Sequence, residues 1–374
     1  MDRADRLCFV VAGDNDARPF GRSTRAWMAA LAEGAGLVPV ETVADVAPGQ
    51  GVIVAAASHG WDPYWLRDLK AHPATALAFN GLPVLAHVAV DQAADMVAAM
   101  NGGAPVGGIE LIEGSGPRAG RGRTAPRRFR RFVMPLDHER TGTVERAAFA
   151  ASSRLLTDIF SRTMLIGPSF HLTRRAAGLG VTPVAITLAG GGLAMAAVAL
   201  FSAGQFALGL VVSLGAILFD VTDGQLARCT GQVTRLGAQL DATFDWVVMP
   251  LWAIGWARGL DAVGRPIEPV LELMVIGAIV SGHVAERVIA LLFRRRHGLP
   301  MAAWRPIDSR FRLIGARRNP GLAILAASLA LGRPGQGLEW LALWILLSLI
   351  FHWLRFAQAN ARADRGRRIV GWLP

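Results

Sequence analysis

The chain has 374 residues, with 39 Lys and Arg against 28 Asp and Glu, and 52% of its side chains are hydrophobic. That length exceeds one typical domain and suits two. The charge divides in the same way: the first 115 residues carry 7 basic against 13 acidic side chains and the remainder 32 against 15, so an acidic front half precedes a basic, apolar back half. No charged residue occurs between Arg175 and Asp220, which supplies two bilayer-spanning helices of about 20 residues each and excludes an ordinary soluble chain.

The first residues hold only a short apolar stretch, Leu7 to Ala12, ending in Asp14 and Asp16. This is no secretory signal, so the front half is expected in the cytoplasm and Cys8 and Cys229 are not expected to pair. From Leu7 the pattern predicts strands at 7–12, 37–40, 52–57, 75–79 and 84–90. Helices are predicted at 23–33 and 61–70, with a third capped by Asp91 and running to Met100. The alternation defines an α/β layer over residues 1–115.

Residues 116–143 form a basic linker, with Arg118, Arg121, Arg123, Arg127, Arg128, Arg130 and Arg131 among Gly, Ser and Pro. The segment reads as membrane-surface contact or a solvated linker. Without interleaved stacking aromatics beyond Phe129 and Phe132, nucleic acid is not an expected partner. Residues 144–182 form a juxtamembrane region. Its first part, Val144 to Phe160, puts Phe149, Leu155, Leu156, Ile159 and Phe160 on one helix side and Glu145, Arg146 and Arg154 elsewhere, for the bilayer surface or for packing on the soluble domain.

Residues 183–374 are expected to cross the membrane six times, at about 183–203, 206–227, 236–257, 269–293, 313–331 and 338–357. Arg294, Arg295, Arg296, Arg305, Arg310 and Arg312 crowd the fourth connection, whereas the turn near Gly204 has none. The positive-inside bias therefore puts both termini in the cytoplasm of a multi-pass inner-membrane protein. Gly190, Gly191 and Gly192 read as a close helix-packing face.

The chemistry lies in the second and third spans. Asp220, Asp223, Gly224 and Ala227 share one helix face by their spacing of three and four, and Gly237, Asp241 and Asp245 form a stripe on the next. Asp220 precedes Arg228 by eight residues and Asp245 follows Gly237 by eight, so in an antiparallel pair both lie about 12 Å from the turn. Ionised carboxylates at membrane depth need partners. Four hard oxygen ligands suit two Mg²⁺ or Mn²⁺ ions. Gly224, Ala227 and Gly237 leave room for a nucleotide diphosphate, and Arg228 offers a fork of donors to its phosphate or base.

The run DVTDGQLARCTGQVTRLGAQLDATFD, residues 220–245, resembles the signature of the CDP-alcohol phosphotransferases and matches every position of it. The resemblance implies six transmembrane helices, usually in a homodimer. It also implies two divalent cations held by Asp220, Asp223, Asp241 and Asp245, with Asp245 as the base that activates the acceptor hydroxyl. The CDP-linked donor, expected to be CDP-diacylglycerol, is cleaved with release of CMP beside Gly224, Ala227, Arg228 and Gly237. TPVAIT, Thr182–Thr187, is similar to the family's entry to the first span, with Val184 where Asn is usual. The front half resembles the nucleotidyltransferase-like domain fused to such enzymes in di-myo-inositol phosphate phosphate synthases, but it lacks the Gly-x-Gly-x-Arg loop and following Lys. A degenerate relative is expected.

The fold class expected is thus an all-α six-helix transmembrane bundle preceded by a cytoplasmic α/β domain. The function expected is metal-dependent transfer of a phosphoryl-alcohol group to an acceptor alcohol among membrane lipids. The alternatives are a non-catalytic membrane scaffold and a bifunctional cytidylyltransferase/transferase. Arg305, Arg310, Arg317 and Arg318 are expected to hold a phosphate on the acceptor, an inositol or glycerol phosphate, because an acidic metal centre needs fixed cations beside it.

Overall fold

The computed structural model describes residues 7–114, 131–152 and 158–372. These fall into two compact units, one drawn from Met1–Ser153, Phe170–Pro183 and Asp223–Thr234, the other from Arg154–Ser169, Val184–Thr222 and Arg235–Pro374.

The first unit is an α/β layer. Its main sheet runs in the order β2-β1-β3-β6-β5-β7, built from β1 (Cys8–Ala12), β2 (Val38–Pro39), β3 (Gly51–Ala56), β5 (Thr75–Phe79), β6 (Leu82–Ala89) and β7 (Glu110–Gly114). β1 pairs parallel with β2 and β3, and β5 with β7, while β6 runs antiparallel to β3 and β5. Both faces are covered at the centre, which is why β1 and β3 read as continuous apolar runs rather than alternating ones. Helix α1 (Thr24–Gly34) follows β1, α2 (Tyr64–Ala71) precedes β5, and α3 (Ala93–Met100) follows β6. α3 lays Ala93, Met96 and Met100 into a core with Val52, Val54 and Val88. Asn80 and Gly81 turn β5 into β6 with φ of 53° and 79°, the left-handed pair that a two-residue hairpin demands.

Three expectations change in this unit. Trp61, expected to open a helix, belongs to β4 (His59–Trp61), which pairs antiparallel with β8 (Val133–Pro135). α2 begins only at Tyr64, where Asp62 accepts the Tyr64 N–H at 2.9 Å. Glu145, expected on a polar face, is 2% exposed in α4 (Thr141–Ser152), because it accepts the Phe20 N–H at 2.7 Å and meets Arg174 at 2.8 Å. Of the linker arginines only Arg131 is described, paired with Asp68 at 3.2 Å and lying over the Tyr64 ring; the other six, with Leu155 and Leu156, lie outside the described residues.

Helices α5 (Ile166–Gly178), α6 (Pro183–Ser202), α7 (Phe206–Cys229), α8 (Arg235–Ala262), α9 (Pro269–His297), α10 (Pro306–Phe311), α11 (Arg318–Ala330) and α12 (Pro334–Asp364) complete the chain. α6, α7, α9 and α12 are long and apolar enough to cross a membrane, and the chain is an integral membrane protein. The third and fifth of the expected spans stand apart. α8 has the length but carries Asp241, Asp245, Arg258 and Asp261. α11 has 13 residues, roughly 20 Å at 1.5 Å per residue against a hydrocarbon core of about 30 Å, because hydrogen-bonded turns hold the chain before Arg318.

In the second unit Phe201, Phe206, Trp252 and Trp256 pack as one aromatic group within the bundle core. The two indoles donate to the carbonyls of Ala194 and Pro334 at 3.0 and 2.9 Å. A Cβ on Gly255 would stand 3.0 Å from the Val198 oxygen and one on Gly259 1.9 Å from the Phe201 oxygen, so α8 meets α6 backbone to backbone. Gly190 and Gly191 are packed closely too, against Phe219 and Phe244, as their reading as a packing face requires; Gly192 faces open space.

Candidate active site

α7 carries the first half of the motif and passes from one unit to the other, with Asp220 in the second and Asp223, Gly224, Ala227 and Arg228 in the first. In the first unit Asp223 is buried. The Arg228 guanidinium lies over Gly224, where a Cβ would come within 3.0 Å of it. Its Nε–H donates to the Ser152 carbonyl at 2.7 Å, and the Ser152 hydroxyl donates to Gln225 Oε1 at 2.6 Å. The Trp27 indole donates to the Cys229 carbonyl at 2.8 Å. Gly231, at φ 71°, comes so close to α1 that a Cβ would stand 2.1 Å from the Ala30 oxygen. The end of α7 is thus built into the α/β unit. A small cavity of about 190 Å³ there is lined by Asp62, Tyr64, Arg67, Ser152 and Arg228, among others.

In the second unit the aspartates meet arginines. Arg318, the first residue of α11, donates to Asp220 Oδ2 at 2.5 Å, with Asp241 and Asp245 also in its field. Arg287 of α9 donates to Asp245 Oδ2 at 3.2 Å and to the Asp245 carbonyl at 2.9 Å. Gly237 stands one turn before Asp241 on α8. Among the described residues no three Asp, Glu, His or Cys side chains are gathered closely enough to hold a metal ion. The donor chemistry nevertheless fits Mg²⁺ or Mn²⁺: these are hard carboxylate oxygens, and Asp220 and Asp245 each already face a cationic group in the guanidinium that stands there.

Beside Asp245 opens a cavity of about 510 Å³, lined by Arg287, Arg294, Arg312 and Arg317 together with His283, Glu286 and His352. Of the four arginines expected to hold a phosphorylated acceptor, Arg317 lines this cavity and Arg318 turns to Asp220. Arg305 and Arg310 are exposed, Arg305 over the Trp304 ring. The short α10 fixes that outcome by burying Asp308, which takes Arg355 at 2.6 and 2.9 Å.

Sequence reasoning passed over Arg287, although a signal was there. His283, Glu286 and Arg287 are spaced three and four apart inside an otherwise apolar helix, and an ionisable residue at such depth is a functional candidate by default. Ser152 and Trp27 gave no signal, because their partners lie far away in the chain.

The family model for CDP-alcohol phosphatidyltransferase matches residues 180–354. A phosphatidylinositol phosphate synthase of Streptomyces avermitilis is 30% identical over 220 residues, 55% of this chain and 82% of that protein. One from Mycolicibacterium smegmatis is 40% identical over 124 residues, 31% of this chain and 54% of its own. A bifunctional IPC transferase and DIPP synthase of Rubrobacter xylanophilus is 31% identical over 163 residues, 42% of this chain and 33% of its own. The crystal structure of Mycobacterium tuberculosis phosphatidylinositol phosphate synthase with CDP-DAG bound aligns with a TM-score of 0.41 at 21% identity, over 50% of this chain and 92% of that one. The chain belongs to the CDP-alcohol phosphatidyltransferase family. It is a membrane transferase of substituted phosphate groups.

Proposed function

We propose that this chain transfers the phosphatidyl group of CDP-diacylglycerol to a hydroxyl of an inositol phosphate or similar phosphorylated polyol, releasing CMP. The observation that carries the acceptor class is the cavity beside Asp245, where four arginines line one space. A phosphate monoester takes paired hydrogen bonds from guanidinium groups, and an uncharged alcohol has no use for four of them. The Streptomyces and Mycolicibacterium relatives are phosphatidylinositol phosphate synthases, which agrees with this acceptor class.

Asp220, Asp223, Asp241 and Asp245 would hold Mg²⁺ or Mn²⁺, and a divalent cation supplies neutralisation of the donor pyrophosphate and of the departing CMP. Asp220 and Asp223 are three residues apart on α7, and Asp241 and Asp245 four apart on α8, so each pair shares a helix face. Gly224, Ala227, Arg228 and Gly237 flank the nucleotide. Asp245 accepts the proton of the acceptor hydroxyl. The freed oxygen bonds the lipid-bearing phosphorus as the bond from that phosphorus to the CMP oxygen breaks. The arginines of the fourth connection support a cytoplasmic side for both termini and the α/β unit.

The α/β unit is read as non-catalytic. Its β1–α1 loop is filled by its own side chains: Asn15 donates to the Ala57 and Leu136 carbonyls at 2.8 and 2.7 Å, and Arg25 to the Val11 and Gly13 carbonyls at 3.1 and 3.2 Å. An active nucleotidyltransferase would keep such a loop open for phosphates.

The test is kinetic. Arg312→Gln and Arg317→Gln should each raise KM for inositol phosphate tenfold or more with KM for CDP-diacylglycerol little changed. Equal effects on both substrates, or none, would refute the acceptor class.

A further inference from the structure

Asp220 stands on α7 and Asp245 on α8, yet each is met by an arginine from a different helix, Arg318 of α11 and Arg287 of α9. Both pairs are partly withdrawn from water, with side-chain exposures of 14% and 26% for Arg318 and Asp220 and 26% and 35% for Arg287 and Asp245. Arg318 is not fully satisfied in this position, since its Nε is buried with no hydrogen-bond partner. It stands in the field of three carboxylates, Asp220, Asp241 and Asp245. A guanidinium there occupies the place of a small cation with one charge, where a divalent ion would bring two.

Arg287 has a second neighbour. Besides holding Asp245 it lines the 510 Å³ cavity with Arg294, Arg312 and Arg317. A guanidinium has five N–H donors in a fixed plane, and turning that plane towards an anion in the cavity withdraws it from the Asp245 carboxylate. An aspartate left without its arginine gains affinity for a metal ion. An arginine left without its aspartate gains affinity for a phosphate, because an uncompensated cation out of water is costly.

We infer that Arg287 and Arg318 are resident counter-ions that exchange with the divalent cation, and that Arg287 thereby couples metal binding to binding of the acceptor's phosphate, each ligand tightening the other. The inference rests on the function proposed above. It makes Arg287 a positioning residue whose bond to Asp245 is given up on ligation. It also accounts for the positions of Asp220 and Asp245, each of which is held by its arginine until a metal draws it away. Reciprocity is required, so phosphate must raise metal affinity by the same factor as metal raises phosphate affinity.

The experiment follows Mn²⁺ binding by the electron paramagnetic resonance signal of the free ion, on purified full-length protein in detergent without nucleotide. The titration is run with and without saturating myo-inositol 1-phosphate, corrected for Mn²⁺ held by that phosphate in solution, with myo-inositol as control. Wild type should bind Mn²⁺ about fivefold or more tightly with the phosphate and without change in the unphosphorylated control. Arg287→Gln should bind Mn²⁺ more tightly than unliganded wild type and lose the response to phosphate. Arg318→Gln should bind Mn²⁺ more tightly and keep the response. Arg287→Lys, which retains charge without the planar fork, should show a weakened response and serves where Arg287→Gln does not fold. Mn²⁺ binding that ignores the phosphate, or that weakens in a folded Arg287→Gln protein, overturns the inference alone. Failure of the wild type to bind Mn²⁺ at all overturns it together with the function on which it rests.

Discussion

Arg228 is fixed by Ser152: its Nε–H donates to the Ser152 carbonyl at 2.7 Å, so a residue of the family motif takes its orientation from the end of α4. Beside it the Trp27 indole closes on the Cys229 carbonyl. Trp27→Phe leaves that buried carbonyl without its donor at a cost of about 1–3 kcal/mol. The expected outcome is a lower melting temperature together with CMP affinity reduced several-fold, read by thermal unfolding and calorimetric titration. The KM for the acceptor should stay where it was.

The aspartates should divide from the arginines in kinetic character. Asp245→Asn removes the proton acceptor and should lower CMP release by at least ~100-fold, and Asp220→Asn should do the same by loss of a metal ligand. Wild-type turnover in either folded protein would remove the roles given to these two aspartates.

Gly259→Ala tests the contact between α6 and α8. The added methyl would fall 1.9 Å from the Phe201 carbonyl oxygen, which is backbone and cannot rotate away. Overpacking of this kind costs about 1–3 kcal/mol. The melting temperature in detergent should drop accordingly, whereas Gly277→Ala, facing open space on α9, should leave it unchanged.

Asp62 gives the pH test. Burial pushes its carboxyl above the usual carboxylate range, against the smaller opposing pull of the Tyr64 N–H and Arg131. The folded form therefore keeps its proton to higher pH than the unfolded form, and stability is lost as pH rises between the two values. Asp62→Asn should raise the melting temperature at pH 7.5, with the gain narrowing as the pH approaches about 4. A gain that grows on acidification would contradict this assignment.

Much of this was legible in the residues. β5 has the bounds its apolar run suggested, and α6, α7, α9 and α12, the four helices long and apolar enough to cross a membrane, begin within a few residues of where hydropathy placed them. The spacing of Asp220, Asp223, Asp241 and Asp245 already put them in pairs on two helix faces. What escaped was long-range. β7 went unassigned because it is an edge strand with little to bury, and only its pairing with β5 makes it a strand. Glu145 looked like a surface charge because Phe20 and Arg174, which neutralise it, are distant in sequence. Arg305 and Arg310 were singled out for standing in a basic loop, and nothing local revealed that α10 faces its buried Asp308 inward and leaves them exposed. The carboxylate–arginine pairs of Asp220 and Asp245 join residues 98 and 42 positions apart, beyond the reach of any periodicity.

The burial of Cys229 has a practical side. Its thiol is enclosed at 1% exposure and touches the Ser152 hydroxyl at 3.2 Å, within the same unit as Trp27 and Arg228. Alkylating reagents should therefore pass it by in the native protein and mark it once α1 or α4 lifts from the end of α7. The chain thus carries its own chemical stopwatch for that opening, with Cys8, buried in the sheet, as an internal clock for unfolding of the strands. A truncation that removes the α/β residues would expose Cys229 to the reagent at once, so this membrane half should not be treated as a module to be cut free.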